Sequence, residues 1–159
     1  MKTKLTSVII ACLVAQVALA IPQTFRNGFF GAAGQQFEDF AVAALGPGAD
    51  MKGKWAVVAG KEGTLRLDMT AVVFGVPASE VIAQKSGDHV AKYIVTYSSA
   101  DDRKRGKSEA PLKSRVIAGV SAYTGGDVKS KQPAVYKGTQ FVAQDGAKGD
   151  VVVEISKAP

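Results

Sequence analysis

Between Thr64 and Tyr97 the chain alternates. Leu65, Leu67 and Met69 are apolar and Arg66 and Asp68 between them are charged, the period-two pattern of a strand with one buried face. Glu80–Gln84 and Val90–Tyr97 flank the short polar segment Lys85–Asp88, which carries a central Gly87 and predicts a hairpin. In the second of these strands Tyr93, Val95 and Tyr97 share one face, and Lys92, Ile94 and Thr96 share the other. A second hairpin is predicted from Ala134–Gln144 and Asp150–Ser156 around the Gly-rich 145–149. Trp55–Ala59 adds a short apolar strand. Ala71–Val76 is too short and too uniformly apolar to assign; it continues a strand or forms a helical turn.

Two stretches carry the helical period instead. Phe37, Phe40, Ala41, Ala44 and Leu45 fall on one face of a helix over Gln35–Leu45, and Gly46-Pro47 stops it. Its polar face carries Glu38 and Asp39 rather than lysines, which suits a core helix better than a membrane-surface one. Leu112, Val116, Val120 and Tyr123 predict a second helix, opened by Pro111 and ended by Gly125-Gly126. Gly119 weakens that helix, and the β-branched Val116, Ile117 and Val120 also suit a strand. The expected fold class is therefore α+β: a small antiparallel sheet of two hairpins, packed by the N-terminal amphipathic helix and by the second helix.

The first twenty residues have a separate purpose. Lys2 and Lys4 precede an apolar run from Leu5 to Leu19, and Ala18-Leu-Ala20 supplies small residues two apart. This is the pattern of a cleavable export signal, followed by one globular domain over 21–159. The run falls short of the roughly 20 residues that span a bilayer, so no stable membrane insertion is expected after cleavage. The address implied is periplasmic or secreted. Cys12, the one cysteine, lies inside the signal, so the mature chain has no disulfide, thiolate metal site or cysteine nucleophile.

Charge narrows the picture further. Loss of Lys2 and Lys4 lowers the net charge from +6 to +4, and most of the excess sits in one segment. Arg103, Lys104, Arg105, Lys107, Lys113 and Arg115 face only Asp101, Asp102 and Glu109 there. Such a run attracts an anionic polymer, an envelope component or nucleic acid through charge. It also offers basic residues to a protease if the loop is exposed, and the plainer alternative is a solvated polar loop. No aromatic interleaves it, so base stacking is not expected. Tyr93 and Tyr97 form the other candidate, a face for a sugar or peptide, against the alternative that they pack with hydroxyls at the rim.

Catalytic constellations are wanting. His89 is the sole histidine and stands at the turn of the predicted hairpin. Gly119-Val-Ser-Ala-Tyr123 has Tyr where a nucleophile elbow has its second Gly. Gly106-Lys-Ser108 ends like a phosphate loop, but Asp101 holds the place of the leading Gly. No cofactor or metal is expected. The function expected is that of an exported, non-enzymatic binding or structural protein. Two alternatives stand beside it: an anionic-polymer docking module through 103–115, and a small acid–base hydrolase using Asp or Glu.

Overall fold

The computed structural model describes residues 41–43, 55–86, 89–106 and 108–159, with the side chains of 41–43 and of His89 outside that description. The export signal over 1–20, residues 35–40 and 44–45 of the expected first helix, and Lys107 lie outside the described residues.

Ten strands and two α-helices are described in chain order. They are β1 (Ala41–Ala43), β2 (Trp55–Val57), β3 (Thr64–Leu67), β4 (Ala71–Val73), β5 (Val76–Pro77), β6 (Glu80–Ser86) and β7 (His89–Tyr97). Then follow α1 (Ser99–Lys104), α2 (Leu112–Thr124), β8 (Pro133–Tyr136), β9 (Thr139–Asp145) and β10 (Val151–Lys157). Seven strands form one antiparallel sheet in the order β2-β3-β6-β7-β10-β9-β8, and β1, β4 and β5 form a smaller sheet. The α+β expectation is thus corrected: the described chain is mainly β. Ala41–Ala43, in the second half of the expected N-terminal helix, is a strand paired antiparallel with Ala71–Val73. A helical stripe in the sequence specifies only a face; here a neighbouring strand supplies the backbone partners.

Antiparallel register sorts the large sheet into rows. One row runs Val57, Leu65, Ala83, Tyr93, Ile155, Phe141 and Ala134 across all seven strands. From Leu65 to Phe141 it is buried at 5 % exposure or less. The adjacent row, one residue along each strand, runs Ala56, Arg66, Ile82, Ile94, Glu154, Val142 and Pro133. None of these residues is buried. Alternate side chains point to opposite faces, so one face is core and the other meets water.

The helix α2 and the small sheet occupy the core face. Val116 and Val120 of α2 are fully buried. Phe74 lies in the β4–β5 turn and meets Tyr123 of α2 at 5.7 Å and Phe141 of β9 at 5.8 Å between ring centroids. Phe74 and Gly75 take φ of 52° and 75°, the two left-handed residues of a type I′ hairpin turn. A phenylalanine is unusual there, and the burial of its ring offsets the strain. Gly119 explains the close approach: a Cβ on it would stand 2.0 Å from the Phe74 carbonyl oxygen. The glycine that looked like a weakness in α2 is what lets the helix touch the turn.

The two halves of the chain meet at the centre of the sheet. Lys92–Tyr97 of β7 pairs with Val151–Ser156 of β10. The expected strand Ala134–Gln144 is in fact two, β8 and β9, folded at Lys137 and Gly138 with φ of 48° and 74°.

Candidate functional site

The basic segment is part helix and part connection: residues 105–111 join two helices. Arg103 and Lys104 form the last turn of α1, Arg105 caps it, and Lys113 and Arg115 lie in the first turns of α2. Most of these charges already have partners. Arg115 donates to the Asp102 carboxylate, and Lys113 to Asp145 at 2.7 Å. Lys104 stands 3.6 Å from Asp101, and Arg105 donates to the Pro77 carbonyl at 3.4 Å. Arg103 lines an open cleft of about 520 Å³ with Asp102, Ser108 and Glu109. The structure therefore brings the basic residues to neighbouring helices and pairs three of them, Lys104, Lys113 and Arg115, with carboxylates. Lys107 is outside the described residues.

The tyrosine face is core. Tyr93 is 1 % exposed and Tyr97 0 %, so neither ring meets a ligand from solvent. The Tyr97 hydroxyl donates to the Val73 carbonyl at 3.1 Å, tying the large sheet to the small one. Burial pushes the Tyr97 phenol above its ordinary pKa. Its sequence spacing is the same for a ligand face and a core face; only the position of α2 and the small sheet decides between them.

The solvent face holds a better candidate, and it centres on Arg66. This side chain is exposed on β3 and makes no hydrogen bond or ion pair among the described residues. It lines three adjoining clefts. The first, of about 310 Å³, has Ile82, Ile94 and Val58 as apolar walls, with Lys61, Thr64, Glu80 and Gln84. A second, also of about 310 Å³, has Asp68, Thr70, Ser79 and Glu80. The third, of about 280 Å³, follows the β2 edge along Ala56–Ala59. Strand order creates the first cleft. β3, β6 and β7 are consecutive in the sheet, so Arg66, Ile82 and Ile94 stand abreast. The β2–β3 turn brings Lys61 and Val58 over one end; it is closed by Lys61 N–H donating to the Val58 carbonyl at 3.2 Å. In the sequence Arg66 is only the polar member of an alternating strand. The remaining signal, Ile82 and Ile94 on the polar face of a hairpin, acquires meaning only with the topology.

This arrangement has a definite chemistry. Two cations, Lys61 and Arg66, flank apolar walls, and Glu80 is the one acid among the described residues of that cleft. An arginine fork matches a carboxylate or phosphate in bidentate geometry. Further along the same face Lys92 is already satisfied by Glu154 at 3.1 Å, and Gln144 donates to the other Glu154 oxygen at 3.1 Å. Among the described residues Arg66 and Lys61, at the β2–β3–β6 end of this face, make no ion pair.

Carboxylate pairs do share clefts: Asp68 with Glu80, and Asp102 with Glu109. Asp68, Glu80 and Glu109 are exposed, and Asp102 is held by Arg115. Neither cleft shields a carboxyl from water, the usual means of making a general acid. Among the described residues no three His, Cys, Asp or Glu side chains gather as metal ligands, and no helix is long and apolar enough to cross a membrane. His89 begins β7 opposite Ser86. No family model, curated protein or solved structure matches the chain.

Proposed function

We propose that this is an exported protein that acts by binding rather than catalysis, and that it holds a small amphipathic anion in the Arg66 cleft. The observation that carries the proposal is Arg66 itself: an exposed guanidinium, unpartnered among the described residues, abreast of Ile82 and Ile94. The acidic head of the ligand meets Arg66 and Lys61. Its apolar body lies on Ile82, Ile94 and Val58. The leader-like pattern over Lys2–Ala20 supports export. Docking of an anionic polymer through Arg103–Arg115 is less favoured, because Arg115, Lys113, Lys104 and Arg105 are engaged within the protein. Acid–base hydrolysis is less favoured because the carboxylates are exposed or ion-paired.

Calorimetric titration with octanoate tests the proposal, with octylamine as the cationic control. Saturable octanoate binding is expected, with none for octylamine. Arg66→Gln is expected to weaken it at least about tenfold, since a hydrogen bond to a charged group contributes about 1.5–3 kcal/mol. Absence of saturable binding, or equal binding by the variant, would sink the idea.

A further inference from the structure

The connection between α1 and α2 has a property that the binding cleft does not use. The helix α1 is six residues long and buries none of them. Local electrostatics hold it together. The Ser98 hydroxyl accepts the Asp101 N–H at 3.3 Å, acids occupy its first turn, and Arg103 and Lys104 its last. A short helix without buried contacts opens at little cost. Residues 103–106 and 108–111 are all exposed, and Gly106 takes a φ of 114°. A basic run therefore sits where the chain most easily becomes extended.

Within this run, among the described residues, the one tertiary hydrogen bond is the exposed contact from Arg105 to the Pro77 carbonyl, long at 3.4 Å; the shorter anchors lie on either side. Ser99 N–H donates to Asp150 at 2.8 Å and Ser99 Oγ to the Lys148 carbonyl at 3.0 Å, fixing the start of α1. Arg115 holds Asp102 from α2. Opening the chain at Arg105 gives up its capping N–H bonds and the exposed Pro77 contact, and leaves the Ser99 anchors in place. Moreover, the chain passes from β7 to α2 only here. Residues up to 105 supply β1–β7, and residues from 106 supply α2 and β8–β10. The two parts share the central β7–β10 ladder and the Phe74 contacts with Phe141 and Tyr123. None of these runs through the connection.

We propose that the Arg105–Gly106 bond is a cleavage site for an arginine-directed endoprotease, and that the cut protein stays folded as two non-covalently paired chains. The reaction is hydrolysis and consumes one water. The bond from the Arg105 carbonyl carbon to the Gly106 nitrogen breaks. The water oxygen becomes part of a new Arg105 carboxylate, and the Gly106 nitrogen takes up protons as a new amino terminus.

Digestion of the full chain with an arginine-specific endoprotease, under native conditions, tests both halves of the proposal. Mass spectrometry of denatured samples identifies the cut, and size exclusion of undenatured samples shows whether the fragments stay together. The fragment Gly106–Pro159 is expected to appear at least about tenfold faster than any cut after Arg66, in a sheet strand, or Arg115, in α2. Elution volume should not change. The Arg105→Gln variant should lose the fragment while keeping its far-ultraviolet dichroism. A first cut after Arg66, Arg103 or Arg115 overturns the site. Separation of the fragments on the column overturns the two-chain form.

Discussion

Two rows of side chains cross the large sheet one residue apart, and they have opposite fates. The row through Leu65, Tyr93 and Phe141 is dry. The row through Arg66, Ile94 and Val142 is wet. Both contain apolar residues, so hydrophobicity alone does not separate them. What separates them is the layer above. The dry row is roofed by α2 and by the β4–β5 turn, locked together through Phe74, Tyr123 and Phe141. The wet row keeps Ile82, Ile94 and Val142 half-buried, with Arg66 and Glu154 among them and Lys92 beside Glu154 on the same face. One face therefore carries stability, and the other is free to carry function.

Neighbouring residues of β9 give the sharpest way to break this comparison. Phe141 is fully buried and Val142 half-buried on the other face. Phe141→Ala should cost about 3–5 kcal/mol, the usual loss for a buried ring. Val142→Ala should cost about 1 kcal/mol or less. Urea unfolding of the two variants measures the ratio. Equal losses would mean that the solvent face is covered after all.

Gly119→Ala is the next largest effect, and its sign is the test. In an ordinary helix interior this change stabilises by about 1 kcal/mol. Here the new methyl would stand 2.0 Å from a backbone oxygen of the Phe74 turn. Separation of α2 from the turn should cost about 3 kcal/mol, at the upper end of overpacking losses. The reverse change Ala122→Gly, at an exposed position of the same helix, should cost only the propensity term of about 1 kcal/mol. A stabilised Gly119→Ala in thermal denaturation would show that the close approach is not needed.

Sequence alone reaches the strands whose rows alternate cleanly, and over 112–123 it leaves helix and strand open. β3, β7, β10 and α2 stand close to their expected positions. It missed features in which one residue serves two purposes. Phe74 is both turn and core, so the β4–β5 hairpin hid inside an apolar run. Lys137 takes a left-handed conformation that Asn or Gly usually marks, so β8 and β9 read as one strand. α1 has no buried residue and hence no hydrophobic period; its Ser98 cap and acidic first turn were the remaining signals. The N-terminal helix failed for the opposite reason, since a regular stripe was present but Ala41–Ala43 found a strand partner in β4. The Arg66 cleft was illegible because its walls come from three strands and a turn.

The smallest expected effect concerns Asp145, at the end of β9 where the sheet meets α2. Lys113 donates to one of its oxygens at 2.7 Å, and Lys131 lies 3.8 Å from the other. The hydrogen bond from Lys113, helped by the charges of both lysines, holds the Asp145 carboxyl below the ordinary aspartate value of 3.8. A carboxyl lowered in the folded state binds fewer protons there than in the unfolded chain. Its contribution is thus present in full above the ordinary aspartate range and is lost as pH falls through the folded value. The group is exposed, so water and salt screen the interaction and the effect is slight. Asp145→Asn should leave the buried row untouched. Its melting temperature should approach that of the parent as pH drops below 3.8, with the gap opening above it and narrowing in high salt. A gap that persists undiminished in acid would mean that Asp145 acts through packing, and the ion pair between β9 and α2 would lose its place as a link between the sheet and its roof.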